Sequence, residues 1–219
     1  MFVPLYGVGV SIGEGKLKHI YEAGKGTEKP TFLLLHGTGG TEQDLLPLAE
    51  MIDSNAGVLS VRGNVLENGM PRFFKRLAEG VFDEEDLQMR TEELKQFLDD
   101  AAVKYHFDRD NVVAIGYSNG ANIAANLLFH YEKVLKGAIL HHPMVPRRGV
   151  ELPNLAETEV FIAAGKFDPL CPPEESRDLE ELFVRAGADV TMFWGDYGHQ
   201  LASDEVRAAH AWYRERFGE

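Results

Sequence analysis

The stretch Ala114-Ile115-Gly116-Tyr117-Ser118-Asn119-Gly120-Ala121 decides how this chain is read. Ahead of it stands Val112-Val113-Ala114-Ile115, a short apolar run rich in β-branched residues. Behind it, Ile123, Ala124, Leu127, Leu128, Tyr131 and Val134 recur close to a 3.6-residue period. The order is therefore strand, Gly-x-Ser-x-Gly, helix. Small residues on either side of the serine let the strand and helix backbones close into a sharp turn, with the hydroxyl exposed at its tip. The helix N-terminus behind the turn offers unpaired N–H groups and the positive end of a dipole to an anion forming there. The pentapeptide alone is a pattern that chance supplies; the strand before it and the helix after it give it meaning.

Outward from that turn, strands and helices alternate. Leu17 to Ala23 predicts a strand and Gly24 to Pro30 a turn. Thr31 to Leu35 predicts a buried strand, and Glu42 to Ile52 a helix capped by Thr41. Gly57 to Val61 reads as a strand, Arg62 to Arg76 as irregular, and Asp83 to Tyr105 as a long amphipathic helix. After the central strand and helix come strands at Gly137 to Leu140, Val160 to Ala164 and Val190 to Trp194. Helices follow at Glu174 to Ala186 and from Ser203 to about Phe217. Most strands are short continuous apolar runs, as expected for strands covered on both faces. The fold class is thus α/β, with a mainly parallel central sheet and helices on both sides. No repeat, low-complexity segment or linker divides the chain, so residues 1–219 are expected to form a single domain.

Composition narrows the function classes. The formal net charge is −13, with 35 acidic against 22 basic residues. Such a chain has no electrostatic reason to bind nucleic acid or an anionic membrane surface. Its single cysteine, Cys171, allows no internal disulfide, which fits a reducing compartment. Met1 to Ser11 carries neither a basic region nor a long apolar stretch, so no signal peptide is expected, and no segment has the length of a membrane span. The expected location is the cytoplasm.

A serine is a weak nucleophile until a base takes its proton, and the base is commonly a histidine oriented by a carboxylate. In sheets of this kind the chain order is Ser, then Asp or Glu, then His, with each residue just beyond the C-terminal end of a strand. Asp168, in Gly165-Lys166-Phe167-Asp168-Pro169, and His199, in Gly195-Asp196-Tyr197-Gly198-His199, meet both conditions. Asp196 lies close to His199 in sequence but before the loop turns back. His141 and His142 also follow a strand, but neighbouring strand residues point to opposite faces, so they are expected to be structural or pocket-rim residues. No Cys/His spacing suggests a metal site. An oxyanion would need two donors: the N–H of Asn119, next to the serine, and one from His36-Gly37-Thr38-Gly39-Gly40, for which Thr38 is the candidate. The glycines of that loop do not form a nucleotide-binding pattern.

With these parts in place, the chain resembles the small carboxylesterases of the phospholipase/carboxylesterase group, relatives of the acyl-protein thioesterases within the α/β-hydrolase fold. Beyond the serine, aspartate and histidine loops, the resemblance rests on Leu35-His36-Gly37-Thr38-Gly39-Gly40, Arg62-Gly63-Asn64-Val65, Glu67 to Phe74 (Glu-Asn-Gly-Met-Pro-Arg-Phe-Phe) and His142-Pro143-Met144-Val145-Pro146. It covers nearly the whole chain. It implies an α/β-hydrolase fold without a cap domain, a triad of Ser118, Asp168 and His199, and oxyanion donors at Thr38 and Asn119. It also implies a substrate pocket walled by Met70, Phe74, Met144 and Leu170. The activity implied is hydrolysis of short to medium acyl carboxylic esters with no metal or organic cofactor. The expected partner is a small-molecule ester, with no nucleic acid and no membrane; a homodimer is compatible. A thioesterase or lysophospholipase would use the same residues. A hydrolase-fold protein that only binds a ligand would usually lack one of the three. Asn119 stands where the acyl-protein thioesterases usually carry glutamine; the backbone donor is unaffected, but the resemblance does not carry the protein-depalmitoylating role over to this chain.

Overall fold

The computed structural model describes residues 17–26 and 28–218. The signal-peptide expectation, which concerns Met1 to Ser11, lies outside these residues. In chain order the elements are β1 (His19–Glu22), β2 (Thr31–Leu35), α1 (Leu46–Asp53), β3 (Gly57–Val61), β4 (Val65–Glu67), β5 (Met70–Arg72), β6 (Arg76–Ala78) and β7 (Val81–Phe82). They continue with α2 (Glu84–Tyr105), β8 (Val112–Tyr117), α3 (Asn119–His130), β9 (Gly137–His141), β10 (Glu159–Gly165), α4 (Pro173–Arg185), β11 (Asp189–Gly195) and α5 (Ser203–Phe217). Seven strands form the central sheet in the order β1-β3-β2-β8-β9-β10-β11. All neighbours run parallel except β1, which pairs antiparallel with β3 along the edge.

Alternation along the strands divides the core into two layers. Leu33, Leu35, Val112, Ala114, Leu140 and Ile162 pack with α2, α3 and α4 on one face. Phe32, Leu34, Val113, Ile115, Ile139 and Phe161 pack with α1 and α5 on the other. Both faces are covered, which is why these strands read as continuous apolar runs rather than as alternating ones. After β3 the chain crosses β2 and resumes at β8, so the strand order reverses between β2 and β8. The crevice at the C-terminal ends of strands at such a reversal is where α/β sheets place their sites.

Two regions differ from expectation. Helix α1 starts at Leu46 rather than Glu42. Proline is tolerated only in a helix's first turn, and Pro47 falls there in α1, whereas a start at Glu42 would bury it in the interior. Thr41 instead organises a turn: its hydroxyl donates to Asp44 Oδ1 at 2.9 Å and accepts the Gln43 N–H at 3.2 Å. The stretch from Arg62 to Arg76 is not irregular but includes a small hairpin, β4–β5, followed by β6, which pairs with β7 in a second one. Asn68 and Gly69 both have positive φ, 51° and 80°, at the turn of the first hairpin. Two such residues match the twist of a tight hairpin. Between β9 and β10 lies no helix or strand, so no cap is inserted there.

Candidate active site

The sharp turn after β8 is built as the sequence requires. Ser118 has φ 53° and ψ −114°, a conformation that costs a non-glycine residue about 1–3 kcal/mol. The flanking glycines leave no room for anything larger. A Cβ on Gly120 would run into the Leu35 carbonyl of β2, and one on Gly116 would meet the Ala121 backbone at 2.7 Å. Ser118 N–H donates to His141 O at 2.9 Å, and the Ser118 carbonyl accepts the Asn122 N–H at 3.0 Å. The strained residue is thereby tied to both β9 and α3.

Ser118, Asp168 and His199 converge from the ends of β8, β10 and β11. His199 Nε2 lies 2.7 Å from Ser118 Oγ, and His199 Nδ1 lies 2.7 Å from Asp168 Oδ2. Asp168 Oδ1 accepts the backbone N–H groups of Leu170 and Cys171, each at 2.9 Å. Burial alone would raise the Asp168 pKa. The hydrogen bonds from His142, His199 and the Cys171 N–H outweigh it and hold the carboxyl well below its usual range. The Tyr117 hydroxyl donates to the His199 carbonyl at 2.7 Å and steadies the loop carrying that histidine. Asp196, the rival carboxylate, is exposed and pairs with Lys166 at 2.8 Å.

A cavity of about 300 Å³ opens onto Ser118. Thr38, Asn119, Met144, Leu170 and His199 all line it. Arg72 reaches into the same space and donates from Nη1 to Thr38 Oγ1 at 2.6 Å, while Asn119 Oδ1 accepts the Phe73 N–H at 2.7 Å. These bonds tie the β4–β5 hairpin to the loop after β2 and to the first residue of α3. Two of the four expected walls lie elsewhere. Phe74 is fully buried and packs edge-on against Phe82, ring centroids 5.1 Å apart. Phe82, from β7, is the ring that faces the cavity. Met70 sits half-exposed on the hairpin beside Gly39, outside the lining. The β6–β7 hairpin supplies Arg76, Glu79 and Gly80 as further walls that the reading of Arg62 to Arg76 as irregular did not foresee. The Asn68-Gly69 pair was the signal that a hairpin stood in this region.

His141 and His142 are buried, and His142 lines the cavity, as structural or pocket-rim residues would be; their directions are what differ from expectation. Strand alternation should send them apart, yet both face Glu205 of α5. His141 Nδ1 lies 3.4 Å from Glu205 Oε1, and His142 Nε2 lies 3.1 Å from Glu205 Oε2. Strand β9 ends at His141, and His142 takes a left-handed φ of 55°, which breaks the alternation. His142 Nδ1 then reaches Asp168 Oδ2 at 3.0 Å. Among the described residues, His142, Asp168 and His199 are the one group whose metal-type ligand atoms converge, all within 4.8 Å of one another. Both ring nitrogens concerned face the same Asp168 oxygen in hydrogen bonds, so the donor set is engaged with itself.

The model of the dienelactone hydrolase family matches residues 60–215. The chain belongs to that family. This dienelactone hydrolase family member is 62% identical over 199 residues to the putative hydrolase MhqD of Bacillus subtilis (strain 168), covering 91% of this chain and 98% of that protein. The structure of a Bacillus cereus carboxylesterase matches it with a TM-score of 0.92 at 66% identity, covering 93% of this chain and 96% of that one. A carboxylesterase from Mesorhizobium loti matches with a TM-score of 0.82 at 28% identity, covering 89% and 93%. The matching family model bears a different name from the phospholipase/carboxylesterase group that the motifs resemble. Both readings meet on one statement: this dienelactone hydrolase family member has the α/β-hydrolase fold and is a carboxylic ester hydrolase. Among its described residues, no helix is long and apolar enough to cross a membrane.

Proposed function

We propose that the chain is a serine carboxylesterase acting on short to medium acyl esters, with Ser118 as nucleophile, His199 as base and then acid, and Asp168 as orienting carboxylate. The observation that carries this reading is the unbroken chain from Ser118 Oγ to His199 Nε2 and from His199 Nδ1 to Asp168 Oδ2, each link 2.7 Å. Ser118 Oγ attacks the ester carbonyl carbon while its proton passes to His199 Nε2. The carbonyl π pair moves onto oxygen, and the N–H groups of Thr38 and Asn119 receive the oxyanion. As the C–O bond breaks, His199 returns the proton to the departing alcohol oxygen. Water then attacks the acyl-serine with His199 again as base, releasing the acid and restoring Ser118. Asp168 keeps Nδ1 protonated and stabilises the imidazolium formed in both steps.

The size preference follows from the walls. The loop between β9 and β10 builds no cap, and a cavity of about 300 Å³ edged by Met144, Leu170 and Phe82 suits a modest acyl or alcohol group. A small-molecule ester in the cytoplasm is the partner proposed, handled by one domain. The test combines a variant with a substrate panel. Ser118→Ala should lose nearly all esterase activity and all labelling by a fluorophosphonate probe, with its melting temperature kept. Aryl esters of graded acyl length should peak at short to medium chains and outrun matched thioesters and lysophospholipids. Probe labelling at another serine would overturn the assignment of Ser118, and faster thioester turnover would overturn the substrate class.

A further inference from the structure

The reaction above gives His142 nothing to do, yet its placement is specific. The ring is buried, 1% exposed, between two buried carboxylates. Nδ1 lies 3.0 Å from Asp168 Oδ2, the oxygen that also receives His199, and Nε2 lies 3.1 Å from Glu205 Oε2. Nδ1 is hydrogen-bonded to Asp168, while Nε2 stands at ion-pair distance from Glu205 without an aligned hydrogen bond. Ionised carboxylate oxygens only accept, so a neutral imidazole here would turn a lone pair toward one of them, and the placement favours the ring with a proton on both nitrogens. Glu205 is built as the counterion. It also accepts the Tyr197 hydroxyl at 3.0 Å and the Ala202 N–H at 3.3 Å, and it is held at the N-terminal turn of α5.

We propose that His142, doubly protonated and anchored by Glu205, is a positioning residue that fixes Asp168 and offsets part of its charge, and so sets the pH range in which His199 can take the serine proton. This rests on the reading of Ser118, His199 and Asp168 as a triad. Burial by itself would lower the His142 pKa; the carboxylates of Asp168 and Glu205 outweigh it and push it up to about 9. Burial would raise the Glu205 pKa; His141 first and then His142 outweigh it and take it down to about 2.

The groups facing His142 are few. They are Asp168 from the loop after β10, Glu205 from α5, and His199 at 5.2 Å between ring centroids. Tyr117 at the end of β8 and Tyr197 after β11 stand 6.0 and 6.2 Å away, and His141 shares Glu205. Arg72, Arg76 and Glu79 line the same cavity as Ser118 and His142. A fixed cation on the Asp168 oxygen that receives His199 disfavours a second imidazolium beside it. With the cation removed, Asp168 acts undiluted on His199, which keeps its proton to higher pH.

Two measurements test this. In wild type with 15N-labelled histidine, the His142 ring should give the spectrum of a doubly protonated imidazole throughout about pH 6–8, where an unperturbed imidazole loses its charge. A neutral ring at pH 7 would overturn the proposal, and this result needs no variant to fold. In His142→Asn, chosen because asparagine tolerates the positive φ at this position, the acid limb of kcat/KM should move up by about one pH unit. Activity well below that limb should fall about tenfold, with a smaller change on the plateau. A folded His142→Asn enzyme with the wild-type acid limb would equally overturn it. Failure of the triad shows separately, as activity surviving in Ser118→Ala.

Discussion

At the residue scale, Asp168 is the most heavily determined group in the site. Its two oxygens receive four N–H donors, from His199, His142, Leu170 and Cys171. An amide in its place keeps one accepting oxygen and turns an NH₂ toward groups that are themselves donors. Asp168→Asn should therefore favour the wrong His199 tautomer and lower kcat by about 10⁴, the cost measured when a protease triad loses its carboxylate. Asp196→Asn should be nearly silent, since Asp196 only pairs with Lys166 at the surface. Steady-state kinetics on the two variants check this, and the reverse ranking would move the orienting role to Asp196. Ser118, Asp168 and His199 were legible because each stands in a glycine-containing turn beyond a strand, in a fixed chain order. Glu205 and His142 were not. Glu205 reads as an ordinary acidic residue in a helix's first turn. The role of His142 depends on a single left-handed residue that no periodicity reveals. Phe82 was missed in favour of Phe74 because sequence proximity to the Met70 segment says nothing about which ring turns inward.

At the scale of elements, the approach of β2, β8 and α3 makes the turn, and glycine makes the approach possible. Gly120 is the tightest point, since a Cβ there meets the Leu35 and His36 carbonyls, which belong to β2 and the loop after it. These are backbone atoms in a sheet and cannot move aside as a flexible side chain could. Gly120→Ala should therefore cost at least about 1–3 kcal/mol, the range for overpacking a filled core. In a chain of this size that lowers Tm by roughly 2–4 °C per kcal/mol. Ser118 should also be displaced, so probe labelling should fall more than Tm alone explains. Thermal melts paired with labelling rates check this; an alanine variant with wild-type values of both would mean that the contact relaxes freely. The parallel sheet and its helices were legible for the same packing reason: strands buried on both faces leave uninterrupted apolar runs such as Thr31 to Leu35. The hairpins β4–β5 and β6–β7 left no such trace, being two or three residues per strand and half exposed. The start of α1 was displaced by one rule that outranked the cap at Thr41, namely that Pro47 must lie in the first turn.

At the scale of the whole molecule, two electrostatic effects act on stability in the same direction as pH rises. The first is global: 35 acidic against 22 basic residues leave a net charge of −13, and repulsion within a compact shape grows as the remaining cations are neutralised. The second is local. His142 is raised from 6.5 to about 9 in the folded state. Its contribution to stability is therefore complete below about 6.5 and is lost as pH climbs through about 9. Glu205 behaves oppositely, being lowered from 4.5 to about 2, so its contribution is present above about 4.5 and lost as pH falls through about 2. Between these limits the buried carboxylate–imidazole network contributes fully. Wild-type stability should accordingly decline between pH 6.5 and 9.5 by an amount on the order of 1–3 kcal/mol, a fall in Tm of roughly 2–12 °C. Salt separates the two causes. Repulsion among exposed charges is screened at 0.15 M ionic strength and above, whereas a pair buried beneath α5 is screened far less. Melts across this pH range at low and high salt should thus lose only part of the decline, and His142→Asn should flatten most of what salt leaves. If high salt alone removes the whole slope, the alkaline instability belongs to the acidic surface and the buried histidine contributes nothing to it.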